Sequence, residues 1–510
     1  MAYLMGIDVG TTGTKTLLIA EDGTVMASAT EEYPLHTPRP NWSEQDPEDW
    51  WRAVCAGVGK VLAKVPGAAA QIAGIGLSGQ MHGAVFLDEH HRVIRPAILW
   101  NDQRTGEECA EITSRVGATR LMELASNPAL TGFTAPKILW LRKNEPHHYE
   151  RVRTILLPKD YVRFRLTGTF ATEVSDASGT LLFDVKNRRW SKELLEILDI
   201  PRHFLPECAE SPVATAKVSR VAAEQTGLRE GTPVVGGGGD QAAGAVGTGV
   251  VSKGVISSTL GTSGVVFAYA DKPETDPQGR LHTFCHAVPG AWHMMGVMLS
   301  AGGSLRWFRD ALCHEEIVEA KQRGIDVYEL LTAAAAQVPP GAEGLLFLPY
   351  LAGERTPYPD PNARGVFIGL SLRHTKAHMV RAVLEGVTFG MRDSLEIMRA
   401  QHIEARQIRA SGGGGRSALW RQIQADVFGA PVSSINVEEG PAFGVALLAG
   451  VGTGIYATVP EACQATIRVV SETTPRAEVT AVYERYYRLY RSLYPLLRDT
   501  FRAVADLVVS

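Results

Sequence analysis

The sequence contains few cysteines, and they follow no recognisable pattern. None of the six forms a CxxC pair or the Cys/His spacing of a zinc site. This excludes a small disulfide scaffold and argues against a metal held by thiolates. We predict instead that they are reduced, mostly core residues of a cytoplasmic protein. They are Cys55, Cys109, Cys208, Cys285, Cys313 and Cys463.

An excess of one charge and long hydrophobic runs are also missing. The 51 basic and 55 acidic residues leave a net charge of -4, which supplies no basic field for nucleic acid or an anionic membrane. No stretch reaches the roughly 20 apolar residues of a membrane-spanning helix. Residues 1–8 lack the basic start of a signal peptide. We therefore expect a cytoplasmic protein that binds neither nucleic acid nor membrane.

Glycine is abundant, and many of the 51 glycines stand in short runs after strand-like apolar segments. Strands followed by glycine turns, alternating with helices, predict an α/β fold. Apolar residues at three-to-four spacing predict helices starting after Asp46 and over 376–400, 417–428 and 479–509. At 510 residues, the chain is long enough for more than one domain.

One glycine motif occurs twice. Asp8–Gly13 (DVGTTG) is echoed by Thr259–Gly264 (TLGTSG), each between two strand-like segments. The echo predicts two similar α/β halves, 1–250 and 251–475, that face each other across a cleft. A helical tail, 476–510, is expected to pack on the second half. A chance match of so short a motif is the alternative.

Both copies of the motif are candidate phosphate-binding loops. A Gly-Thr-Thr-Gly turn frees backbone N–H groups and adds hydroxyls that can donate to phosphate oxygens. An ordinary β-hairpin turn is the alternative for either loop alone, because glycine tolerates positive φ. The candidate residues are Gly10, Thr11, Thr12 and Gly13 in the first loop, and Gly261 and Thr262 in the second.

Two charged residues flank the first loop. Asp8 ends an apolar strand, where an ionised side chain needs a partner, and a hydrated Mg²⁺ that bridges ATP phosphates is a natural one. Lys15 follows the loop and could help to neutralise phosphate charge, although an exposed strand lysine fits equally well.

Asp240 is the strongest candidate for a catalytic group. It follows four glycines, Gly236–Gly239, and precedes a helix of small residues. A helix N-cap is the alternative, since aspartate favours that position. Capping does not account for the glycines, whereas close approach of the backbone to a ligand does. As a general base, Asp240 would accept the proton of an attacking hydroxyl.

A sugar site is predicted after two strands of the first half, at the edge where α/β proteins bind ligands. A lone histidine after a strand is usually structural, so His82 alone is weak evidence. The candidate residues are Gln80, Met81, His82, Trp100, Asp102 and Arg104.

A nucleoside site is predicted at Gly412–Gly415, because glycine lets a flat base approach the backbone. Gly412, Gly413 and Ser417, which precede a helix, are its candidate residues. The glycine run alone would be weak evidence.

At these residues the sequence resembles the FGGY family of carbohydrate kinases, over nearly its whole length. Two signatures carry the resemblance: Phe133–Asn144 (FTAPKILWLRKN), and Gly365–Gly369 (GVFIG) together with Ala382–Glu385 (AVLE). The resemblance implies two actin-like ATPase (ribonuclease-H-like) domains facing across a cleft. It also implies ATP and Mg²⁺ in that cleft, and closure over a sugar.

The resemblance also implies roles for single residues. Asp240 would be the base, and Asp8 and Asp240 the metal-associated carboxylates. The Met81–His82 pair and Gln241 would contact the sugar. Nucleotide contacts are expected at Thr262, Gly302, Gly413 and Ser417.

The expected reaction is transfer of phosphate from ATP to the 5-hydroxyl of D-xylulose. Another ketose, a polyol or gluconate is the alternative acceptor. An actin-like ATPase without a small acceptor is the rival from another class, and a homodimer is left open.

Overall fold

The computed structural model describes residues 2–509, which form two mixed α/β halves. In the first half the strands are β1 (Tyr3–Val9), β2 (Gly13–Ala20), β3 (Val25–Glu32), β4 (Glu44–Gln45), β5 (Ile72–Gly79), β6 (Val85–Leu87), β7 (Ala97–Ile98), β8 (Thr154–Leu156), β9 (Thr172–Glu173), β10 (Phe183–Asp184), β11 (Arg189–Trp190), β12 (Cys208–Ala209), β13 (Ala214–Lys217), β14 (Pro233–Val235) and β15 (Gly238–Gly239). The helices are α1 (Pro47–Lys64), α2 (Gly106–Val116), α3 (Ala118–Ala125), α4 (Thr134–Asn144), α5 (Pro146–Tyr149), α6 (Pro158–Thr167), α7 (Val174–Ala177), α8 (Lys192–Ile197), α9 (Arg220–Thr226) and α10 (Asp240–Gly247).

In the second half the strands are β16 (Val255–Leu260), β17 (Gly264–Ala270), β18 (His282–Cys285), β19 (Trp292–Met298), β20 (Leu346–Leu348), β21 (Val366–Ile368), β22 (Gln407–Ser411), β23 (Val432–Ile435) and β24 (Val469–Thr473). The helices are α11 (Gly302–Leu312), α12 (His314–Arg323), α13 (Val327–Ala336), α14 (Lys376–Ala400), α15 (Gly412–Arg416), α16 (Ala418–Phe428), α17 (Pro441–Gly452), α18 (Val459–Thr466) and α19 (Ala477–Val509).

The two large sheets repeat one topology. The first has the order β13-β14-β5-β1-β2-β3, and the second contains the order β24-β23-β22-β16-β17-β19, with β18 at its edge. In the first sheet, β1 forms an antiparallel hairpin with β2 and pairs in parallel with β5 on its other side. In the second sheet, β16 forms an antiparallel hairpin with β17 and pairs in parallel with β22. The two copies of the sequence motif therefore lie at corresponding hairpins of two sheets with the same strand order.

Local signals place the predicted helices. Helix α1 begins at Pro47 after the N-cap Asp46, whose carboxylate accepts a hydrogen bond from Glu48 N at 3.0 Å. Such a cap is typically worth about 1 kcal/mol. Helix α16 begins after Ser417 and ends at Gly429, which has the left-handed conformation of a C-cap. Helix α14 spans the predicted residues, and its buried stripe packs on the second sheet.

Two helices cross at the junction of the halves. Helix α17, from the second half, packs on β1 and β5 of the first half and crosses α10. The crossing is tight because glycine lies at the contact points: a Cβ on Gly444 would lie 1.9 Å from Ala243 O, and one on Gly247 would lie 2.1 Å from Gly440 O. The helix that begins with Asp240 is therefore fixed against both halves.

The tail helix α19 packs on α14 and α16 of the second half. Tyrosines along one of its faces donate hydrogen bonds to buried acids: Tyr483 to Glu385 at 2.7 Å and Tyr487 to Asp393 at 2.7 Å. Glu385 belongs to the second family signature and also pairs with Arg381 at 2.6 Å. This part of the signature thus joins the tail to the core.

Two predicted site regions have the following local structure. The run Gly412–Gly415, the predicted nucleoside site, belongs to a helical turn, α15, and a Cβ on Gly412 would lie 2.5 Å from Leu260 O. Strand β7, which precedes Trp100, ends at Ile98. The six cysteines carry free thiols; Cys285, Cys313 and Cys463 are buried, and the others are half-buried. Over residues 2–509, none of the helices has the length and apolarity needed to span a bilayer.

Candidate active site

The carboxyl edge of the first sheet brings two acids to the cleft. Strands β1, β5 and β15 lie side by side and parallel, so that Val9 pairs with Gly79 and Gly79 with Gly239. Asp8 and Asp240 therefore flank the same edge, with one strand between them. Asp240 is the first residue of α10, and the N-cap is Gly239. The capping interpretation of Asp240 is therefore wrong.

Both acids have strongly perturbed ionisation. Burial and, to a smaller extent, the negative charge of Asp8 together raise the pKa of Asp240 to about 7. Burial also raises the pKa of Asp8 to about 6, against the lowering effects of Ser78 and Lys15. One oxygen of Asp8, Oδ1, is buried without a hydrogen-bond partner. The edge thus carries a carboxylate able to exchange a proton near neutral pH, beside a second one with an unused oxygen.

The first glycine loop is the turn of the β1–β2 hairpin, with Gly10 N–H donating to Gly13 O at 3.0 Å. It is held from outside by side chains. The Tyr33 hydroxyl donates to Gly10 O at 2.5 Å, and the Trp100 indole donates to Thr11 Oγ1 at 2.9 Å. The loop is therefore both a hairpin and an ordered element of the site edge, while Thr12 is exposed.

Gln80 and Lys15, which the sequence predicts to contact ligands, bind other parts of the chain in this structure. Gln80 is buried and donates to Gln45 Oε1 at 2.9 Å and to Gly10 O at 3.3 Å, so it supports the first loop. The ammonium of Lys15 forms an ion pair with Glu439, just before α17. The local sequence predicts neither interaction, because the partners are far apart along the chain.

The second glycine loop, between β16 and β17, is joined to the start of α11. Gly302 N–H donates to Gly261 O at 2.8 Å, and Ala301 N–H donates to Thr262 O at 2.9 Å. A Cβ on Gly302 would lie 2.5 Å from Gly261 O. Gly302 therefore allows close packing against the loop, and its amide is already engaged.

A cavity of about 660 Å³ joins the two halves. Asp240 and Gln241 line it from the first half, and Gly412 and Gly413 from the second. A Cβ on Gly413 would meet nothing within 4 Å, so this glycine faces open space. Ser417 is the N-cap of α16 and accepts a hydrogen bond from Trp420 N at 3.3 Å. Its hydroxyl therefore has a structural function in this arrangement.

Met81 lies beside Gly239, the last residue of β15, and His82 lies beside Gly179. A Cβ on Gly239 would lie 2.9 Å from the Met81 sulfur. His82 Nδ1 lies 2.7 Å from Gly179 O, so Nδ1 carries the proton and Nε2 is an acceptor. Burial and the nearby positive charge of Lys137 hold the pKa of His82 well below its usual value.

Lys137, in the first family signature, holds His82 in place. Its buried ammonium donates to His82 O at 2.8 Å and to Gly132 O at 2.6 Å. His82 has φ of 69°, a left-handed conformation that is uncommon for residues other than glycine. Burial lowers the pKa of Lys137 to about 7. The sequence marks Lys137 only as part of a motif, and its function depends on the tertiary contact.

Asp102 and Arg104 are not at the cleft surface. Their side chains are 0% and 1% exposed and form an ion pair at 2.6 Å. Asp102 also accepts Ser43 N at 2.7 Å, while the Arg104 guanidinium lies 3.5 Å from the centre of the Trp42 ring. Because their polar atoms are turned into this cluster, the expectation of direct sugar contact is corrected for both. Trp100, at 39% exposure, remains accessible.

Sequence reasoning missed a buried ionic cluster behind the site. Lys159 lies 2.6 Å from Asp160, 3.1 Å from Asp176 and 3.6 Å from Glu173, and all four side chains are almost completely buried. Burial raises the pKa of Asp176 well above its usual value. Charged residues usually face solvent, so nothing in the local sequence reveals this cluster.

The duplicated sheets and the cavity between the halves define a class, the actin-like ATPase-type fold. Two family models match: the N-terminal domain of the FGGY carbohydrate kinases over residues 3–247, and the C-terminal domain of the same family over residues 256–453. The chain belongs to the FGGY family of carbohydrate kinases.

Individual proteins agree with this assignment. The chain is 41% identical to a xylulose kinase of Lactococcus lactis, over 97% of each chain. It is 32% identical to a gluconokinase of Bacillus subtilis, over 99% of this chain and 98% of the relative. The crystal structure of a xylulose kinase from Rhodospirillum rubrum matches with a TM-score of 0.91 and 31% identity, over 98% of this chain and 100% of the other.

Proposed function

We propose that this chain transfers the γ-phosphoryl group of ATP to the 5-hydroxyl of D-xylulose. One observation carries the proposal: Asp240 lines the cavity shared by the halves, and Met81 packs against the residue before it, Gly239. The similarity to xylulose kinases supports this choice of sugar.

Asp240 is proposed as the general base. Its carboxylate accepts the proton of the sugar hydroxyl while that oxygen attacks the γ-phosphorus. The bond between the γ-phosphorus and the bridging oxygen breaks, and its electron pair leaves with ADP. Because its pKa is raised to about 7, the carboxylate is basic enough to take the proton and still substantially ionised near neutral pH.

His82 and Met81 are proposed to orient the sugar. With its proton on Nδ1, His82 presents Nε2 as an acceptor for a sugar hydroxyl. Met81 is 4% exposed and supplies an apolar wall beside Gly239. Gln241, which follows Asp240 and lines the same cavity, is proposed as a further sugar contact.

The nucleotide is proposed to bind across the cavity. Gly413 faces open space there and leaves room for a flat base, and Gly412 lines the same cavity. The two hairpin turns, with Thr11, Thr12 and Thr262, are proposed to face the phosphates. Closing the halves would exclude water from the transfer step.

The donor set fits a magnesium ion. Asp8 has a buried oxygen without a partner, and carboxylate oxygens are preferred Mg²⁺ ligands. When bound, the ion supplies neutralisation of phosphate charge. Asp8 is proposed to bind the magnesium ion. The negative charge of ionised Asp240 nearby would raise the affinity of the site for the ion.

An acceptor panel tests the proposed function. ADP formation would be measured with D-xylulose, L-ribulose, gluconate, glycerol and pentitols, and the product identified by phosphorus NMR. We expect D-xylulose to give the highest kcat/KM and D-xylulose 5-phosphate as product. A preference for gluconate would support the second candidate, which the similarity to a gluconokinase favours. An ADP formation rate that no acceptor changes would support the ATPase rival. The domain boundaries, the cytoplasmic location and the homodimer remain predictions.

A further inference from the structure

A buried hydrogen-bond chain ends at the residue before Asp240. The amide of Gly239 donates to Ser175 Oγ at 3.0 Å, and Ser175 Oγ donates to Glu173 Oε1 at 2.8 Å. All three residues are buried. Because the serine proton is directed to the carboxylate, an oxygen lone pair of Ser175 faces the amide of Gly239.

Glu173 is itself fixed from several sides. Its Oε2 accepts Ser175 N at 2.7 Å and Ser211 Oγ at 2.7 Å. The Lys159 ammonium lies 3.6 Å from Oε1. A carboxylate that accepts several hydrogen bonds has little freedom to move. Glu173 therefore gives Ser175 one orientation.

On its other side Gly239 meets the sugar-site residue Met81, with no space for a side chain between them. The peptide is thus held between the Ser175 hydroxyl and the Met81 thioether. Asp240 is the next residue, and its Oδ1 accepts Gln241 N at 2.8 Å. A shift of Gly239 would move the carboxylate relative to the sugar.

We infer that Ser175, oriented by Glu173, is a positioning residue that sets the place of the Asp240 carboxylate in the cleft. It touches neither sugar nor nucleotide, and acts through the amide of Gly239. The inference rests on the proposed function, in which Asp240 is the base.

Ser211 provides a matched control. Ser175→Ala and Ser211→Ala each remove one hydroxyl from the same buried carboxylate, but only Ser175 contacts Gly239. We expect similar falls in melting temperature for the two variants. Ser175→Ala should lower kcat about 10- to 100-fold, as expected for a catalytic group displaced by a fraction of an ångström to 1 Å. KM for D-xylulose should change less, and the acid limb of the pH profile of kcat should move. Ser211→Ala should keep the wild-type kcat within about twofold and leave the profile in place.

Equal kcat values and pH profiles for the two variants would overturn the inference. A wild-type enzyme that phosphorylates no sugar would instead count against the proposed function, so the two failures are distinguishable. If Ser175→Ala does not fold, hydrogen exchange of the wild-type protein decides: the Gly239 amide should be strongly protected, and exchange at the rate of a free loop amide would contradict the hydrogen bond.

Discussion

Replacement of Asp240 by asparagine should stabilise the protein, and the gain should depend on pH. Burial raises the pKa of this carboxyl from 3.8 to about 7 in the folded chain. Between these values the folded state binds more protons than the unfolded state, so stability falls as pH rises. A shift of roughly three pH units corresponds to about 4 kcal/mol at most. Because Asp240 is only half-buried, we expect about 2 kcal/mol.

Urea unfolding of the wild type and Asp240→Asn at pH 4.5, 6, 7.5 and 9 measures the effect. The free-energy difference should be small at pH 4.5, grow up to about pH 7, and then stay level. The exposed Asp499→Asn is the control, with an expected change within about 0.5 kcal/mol at every pH. A difference that is absent at pH 9, or equal at pH 4.5 and 9, would refute the electrostatic reasoning.

Two further variants test the junction and the first loop. Gly444→Ala should destabilise the protein by about 2 kcal/mol or more, since the added Cβ would lie 1.9 Å from Ala243 O. The control Gly59→Ala, in open space on α1, should stabilise the protein by about 0.5–1 kcal/mol. Equal melting temperatures for the two variants would contradict the tight crossing of α10 and α17. Gln80→Ala should raise KM for ATP about tenfold and KM for the sugar less, because it removes the hydrogen bond to Gly10 O in the first loop. A rise in KM for the sugar alone would instead indicate that Gln80 contacts the sugar directly.

The elements that could be predicted from the sequence depend on local signals. Helix α16 has its serine cap, its apolar stripe and its terminal glycine within thirteen residues. The first hairpin loop also has a local signal, the hydrogen bond from Gly10 N–H to Gly13 O, although Tyr33 and Trp100 hold it from outside. Hence the duplication, and the strand ends that carry Asp8 and Asp240, were visible in the chain itself.

The partners of charged residues could not be predicted in this way. Lys15 meets Glu439, and Lys159 meets Glu173, only after the chain has folded. Nothing adjacent to Arg104 shows that its guanidinium stacks on Trp42. Burial decides whether such a group contacts a ligand or the protein, and burial is a property of the whole fold.

Packing also overrode propensity. Glycine disfavours helices, yet Gly412–Arg416 form one turn of helix because the chain lies against Leu260. Within this one glycine run, Gly412 makes a close contact with Leu260, whereas its neighbour Gly413 faces open space.

The most direct test of the account is the pH dependence of D-xylulose-dependent ADP formation by the wild type and Asp240→Asn between pH 5 and 9. We predict that kcat/KM of the wild type rises with pH through an acid limb near 7, as its base loses a proton. The variant should be slower by about 10²–10⁴-fold, without that limb. A variant that keeps the wild-type rate and the same acid limb would show that another group takes the proton.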